Sequence, residues 1–147
     1  MGYSILLFLH ILFATVWVGG HLVLSMGILP QAIKTKDVSI IINYESIYEK
    51  MGIPSLIGQI FTGVILFVIR VEDYSVLFNW DDFIGRHFIL KILLLFITLG
   101  LAIHARLRIV PNLSKDNLQI LAIHIIAVSI VGVLFVLVGI SIRLGIF

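Results

Sequence analysis

Apolar residues fall in four long runs along this chain, separated by three connections that hold most of the charge. A helix needs about 20 mostly apolar residues to cross the hydrocarbon of a bilayer. Tyr3 to Leu29, Met51 to Ile69, Phe83 to Ala105 and Asn117 to Ile142 are long and apolar enough to do so. The third run is the least uniform, because His87 and Lys91 sit near its start. In the first connection, Val38, Ile41, Tyr44, Ile47 (or Tyr48) and Met51 recur at helical spacing behind Asp37 or Ser39 as N-cap. That pattern predicts a short amphipathic helix on the membrane interface between the first and second spans. The second connection mixes Tyr74, Phe78, Trp80 and Phe83 with acids, which suits an aromatic interfacial belt. Val110-Pro111-Asn112 breaks the chain before the last span. The predicted fold is an all-α integral membrane four-helix bundle, one domain over residues 1–147, with both termini on the same side.

Composition agrees with this pattern. Of 147 residues, 61% are hydrophobic and 12% charged, too little charge to cover a soluble domain of that size. With no cysteine, disulfides, thiolate metal sites and thiol catalysis are excluded. The first charge is Lys34, so no basic segment precedes the first apolar run, and that run is expected to be retained rather than cleaved. A net charge of +2 gives no footing for nucleic acid, but its distribution is informative. The first and third connections carry Lys34, Lys36, Lys50, Arg106, Arg108 and Lys115 and define a basic end. The opposite, acidic end carries Glu72, Asp73, Asp81 and Asp82 with Arg70, Arg86 and Arg143. The positive-inside bias puts the basic end in the cytoplasm and both termini outside.

Histidine is the candidate chemistry. His10, His21, His104 and His124 fall within the spans and His87 near the start of the third. An ionisable group inside a bilayer is costly and marks function more often than packing, although any one of them could serve only as an interhelical hydrogen-bond partner. At about 1.5 Å of rise per residue, His10 and His87 lie toward the acidic end, and His21, His104 and His124 toward the basic end. Tyr3, His10, Ala14, Trp17 and His21 share one face of the first helix, and the small Ala14 leaves room for a flat ligand. Gln59 is polar within an otherwise apolar run. Lys91 shares a face with His87 and either snorkels or works inside. Gly58, Gly63, Gly132 and Gly139 read as helix packing.

Neutral imidazole ligates haem iron, copper and zinc. Two histidines on facing helices would hold a haem, and three at one depth would suit a copper or zinc ion. The acids lie outside the spans and no nucleotide loop or serine nucleophile pattern is visible, so no catalytic residue is assigned. Redox or metal handling remains.

Leu9-His10-Ile11-Leu12 with Val16-Trp17-Val18-Gly19-Gly20, and Gly85-Arg86 through Leu90-Lys91 to His104-Ala105-Arg106 and Pro111, resemble the CopD family of bacterial membrane proteins. The resemblance is carried by helices one and three; helices two and four match only in hydrophobicity. It implies a bacterial inner-membrane protein associated with copper resistance or uptake. The layout is also similar to four-helix cytochrome b proteins and to HemJ-type protoporphyrinogen oxidases, which would single out His10, Lys91 and His104. The chain has no Leu-Pro-Arg after Trp17 and no Asn-Glu-Val-Pro in its last helix, as the HemJ type does. The leading expectation is therefore a CopD-like protein binding one or two haem b groups for electron transfer. His10 and His87 would serve an outer haem, and two of His21, His104 and His124 an inner one, with a quinol or redox protein as partner. The alternatives are copper binding or transport through the three inner histidines, a HemJ-like oxidase, and a structural or assembly subunit of a larger membrane complex.

Overall fold

The computed structural model describes residues 2–146. Four helical columns make up the fold, and each is long and apolar enough to cross a membrane. Helix α1 (Gly2–Val23) passes through a π-helical turn, Leu24–Ile28, into α2 (Leu29–Thr35). Helix α3 spans Ser39–Arg70 and α4 spans Phe83–His104. A second π-helical turn, Ala105–Ile109, and a 3-10 turn, Val110–Asn112, lead to α5 (Leu118–Leu144). The first column thus runs past Leu29, where the sequence predicts its end. Pro30 does not stop it, because it falls in the first turn of α2, where a missing N–H is not needed.

The segment expected as a separate interfacial helix is instead the first third of α3. The helix continues through Pro54 into the second span without a break. The first part of its apolar stripe packs on protein, while Ile47 and Met51 stay exposed. Ile41 is wholly buried among Leu24, Leu29, Ala32, Ile109 and Leu121, with Val38 and Tyr44 packed beside it. This cluster ties α2, α3 and α5 together at the basic end. Asp37 starts α3 by accepting the Ser39 N–H at 2.9 Å and its hydroxyl at 2.7 Å, and these bonds hold its carboxyl below the usual carboxylate range. Asp82 caps α4 in the same way, accepting the Gly85 N–H at 2.7 Å.

Helix α5 is the most apolar of the four and the most buried. It packs on both α1 and α4, while α3 packs along α1. The helices therefore neighbour one another in the order α3, α1, α5, α4, with no extended contact between α3 and α4 among the described residues. That gap is crossed near its two ends. Phe67 stacks on Phe88 at 3.8 Å between centroids toward the acidic end, and Arg106 pairs with Glu49 at 2.9 Å at the basic end.

Candidate functional site

Three histidines lie on or beside one cavity. It occupies about 420 Å³ between α3 and α4, with α1 and α5 behind it, and its lining is mainly apolar. His21 and His124 both line it, and His104 is bonded to His124. His124 turns Nδ1 to the Ile120 carbonyl at 2.9 Å, so Nδ1 carries the proton and Nε2 holds a lone pair. That lone pair accepts from His104 Nδ1 at 2.8 Å. The rings stack with centroids 4.9 Å apart and planes at 19°. His104 Nε2 is then a lone pair at an exposed position, with no hydrogen bond among the described residues.

His21 sits deeper. Its Nδ1 donates to the Trp17 carbonyl at 2.8 Å, and Tyr48 Oη lies 3.1 Å from the same nitrogen. Tyr48 gives its own proton to the Trp17 carbonyl at 2.7 Å. This leaves His21 Nε2 as a lone pair with no partner among the described residues. The local sequence arranges it: the carbonyl four residues earlier in a helix lies within reach of a histidine Nδ1, and a pinned Nδ1 fixes ring and tautomer. Small residues then admit the tyrosines. A Cβ at Gly20 would meet the Tyr48 ring at 1.9 Å, and Tyr44 donates to the Gly20 carbonyl at 2.7 Å.

The two histidines toward the acidic end are drawn to different helices. His10 Nδ1 bonds the Thr62 hydroxyl at 2.9 Å, and Thr62 passes its proton to the Gly58 carbonyl. His87 is completely buried, with Nδ1 at 2.6 Å from the Phe83 carbonyl and Nε2 at 2.5 Å from the Ser141 hydroxyl. Depth along the helices suggested one shared outer site for these two. Instead, each faces a hydroxyl of its own, on α3 for His10 and on α5 for His87.

Of the supporting residues, Trp17 is buried and lines the cavity, whereas Ala14 does not line it. Lys91 turns toward α5, where a Cβ at Gly139 would lie 3.8 Å from its Nζ. Gln59 Oε1 is buried without a hydrogen-bond partner. Sequence reasoning missed Thr98, a residue of the cavity wall whose buried hydroxyl likewise has no partner. A lone threonine in an apolar helix carries no signal of its own. No group of three or more His, Asp or Glu side chains among the described residues is close enough to share an ion as it stands.

No curated protein and no solved structure gives a match to this chain. The family described as Copper resistance protein D, CopD, matches over residues 44–142. The matched stretch covers most of α3, all of α4 and most of α5 and leaves out α1, whose His10 and Trp17 carried half of the resemblance read from sequence. Four apolar columns and a match over more than half the chain lead to one statement: this is a multi-pass membrane protein of the CopD family.

Proposed function

We propose that the chain handles copper, held as cargo by the His104–His124 pair at the basic end. The observation that carries this reading is the meeting of two imidazoles from different helices at 2.8 Å, beside a cavity that His124 also lines. Imidazole nitrogen suits copper, and the family's copper association favours this metal over haem. His124 Nδ1 is already anchored to a backbone carbonyl, the outer-sphere bond that metal-binding histidines use to fix their orientation. Copper would replace the proton between the two rings. That proton passes to the free lone pair on His104 Nε2, so both rings stay neutral imidazoles and each offers one nitrogen to the metal. The exposed setting of His104 leaves its ring free to move aside as the nitrogens separate.

Haem-mediated electron transfer fits this pair less well. A bis-histidine haem needs the thickness of a macrocycle between its ligands, and these two rings are in contact. The test is a competition titration of the purified protein with Cu(I) under reducing conditions. Stoichiometric binding is expected, weakened at least tenfold in His104→Ala and in His124→Ala. A double variant that binds copper like the parent chain would end the proposal. A Soret band in the protein as purified would restore haem.

A further inference from the structure

Helical threonines in apolar surroundings normally send their hydroxyl back to a carbonyl three or four residues earlier. Thr15, Thr35 and Thr62 all do so here, to Ile11, Gln31 and Gly58. Thr98 does not. It is 1% exposed, it lines the cavity between α3 and α4, and its Oγ1 has no hydrogen-bond partner. His21, on the same cavity, has an unpartnered Nε2 lone pair. Two polar groups without partners on one apolar cavity point to an occupant that brings polar atoms of its own.

We infer that this cavity binds the ring of a lipid-soluble benzoquinone, in its quinol form by preference, entering from the bilayer between α3 and α4. Access follows from the helix order. The two helices lack extended contact, and the gap is bridged toward its ends by the Phe67–Phe88 stack and the Glu49–Arg106 ion pair. Size favours one substituted ring. A volume of about 420 Å³ falls in the range of small-ligand pockets, roughly 300–1,000 Å³. Trp17 and Tyr48 supply aromatic walls. The polar pair then sets the preference between redox forms. Thr98 can donate to a quinone carbonyl or accept from a quinol hydroxyl, whereas the His21 lone pair accepts only from a quinol. An acyl chain in the same place would leave both groups unsatisfied. Its polar groups are His21 and Thr98, whereas the copper reading uses His104 and His124, of which His124 borders the same cavity.

Trp17 and Trp80 are the two tryptophans, so Trp80→Phe leaves Trp17 as a reporter on the cavity. The full chain in phosphatidylcholine nanodiscs is titrated with a short-chain benzoquinol and with its quinone. Saturable quenching of Trp17 is expected, tighter for the quinol. Thr98→Val removes only an unpartnered hydroxyl and is expected to raise the midpoint three- to tenfold. Ala102→Phe, on the cavity lining, fills the space without adding a tryptophan and is expected to abolish saturation. Quenching that never saturates, or saturates identically in all three chains, overturns the inference. Quenching by brominated acyl chains that the quinol does not relieve overturns it in favour of lipid. Loss of copper binding with saturable quinol quenching intact sinks only the copper reading.

Discussion

His21, His87 and His124 each turn Nδ1 to the carbonyl four residues earlier, so one piece of helical geometry prepares three imidazoles in the same way. What separates them is the other nitrogen. On His87 it meets Ser141, inside the protein, and both of its nitrogens are thereby engaged across α4 and α5. Removing His87 costs both buried bonds, with Ser141 left only the Ile146 carbonyl, at about 1–3 kcal/mol. His87→Phe is accordingly expected to lower the thermal midpoint in detergent by that equivalent while copper affinity is unchanged. A fall in copper affinity as large as that of His124→Ala would instead place His87 at the metal. The sequence marks all five histidines as costly in lipid, but residue type alone does not separate a ring bonded on both sides from one with a lone pair to offer.

Among the elements, glycine positions decide how closely α1 and α3 approach. A Cβ at Gly58 would meet the Phe13 ring at 2.6 Å, and Gly20 and Gly52 both lie against Tyr48. Small residues at such contacts let membrane helices pack where apolar burial gives no drive. Gly20→Val should therefore destabilise the chain by about 1–3 kcal/mol through overpacking, read as a thermal shift. Tyr48→Ala in the same chain should recover part of it, since the ring is the obstacle. A neutral Gly20→Val would show that α1 and α3 are not in contact there. Run lengths in the sequence give the columns, but not the two π-helical turns at the basic end. Leu24 and Ile109, one from each turn, are buried in the same cluster as Ile41. That cluster also explains why the stripe behind Asp37 stands upright in α3 rather than lying on the interface.

At the scale of the molecule, charge and helix order carry different information. The basic end holds Lys34, Lys36, Lys50, Arg106, Arg108 and Lys115, and the positive-inside bias predicts that it faces the cytoplasm. Alkaline phosphatase fused at the C-terminus, which is active only outside the cytoplasm, is expected to be active, and an inactive fusion would place the basic end outside. Four apolar runs settle a membrane bundle, and five histidines without a cysteine leave imidazole as the candidate metal-ligating chemistry. They do so because lipid demands internally bonded helices and penalises stray ionisable groups. Helix order was not encoded in any run by itself. Only packing left α3 and α4 apart, brought His104 onto His124 and kept Thr98 without a partner, because each of these depends on which helix stands beside which.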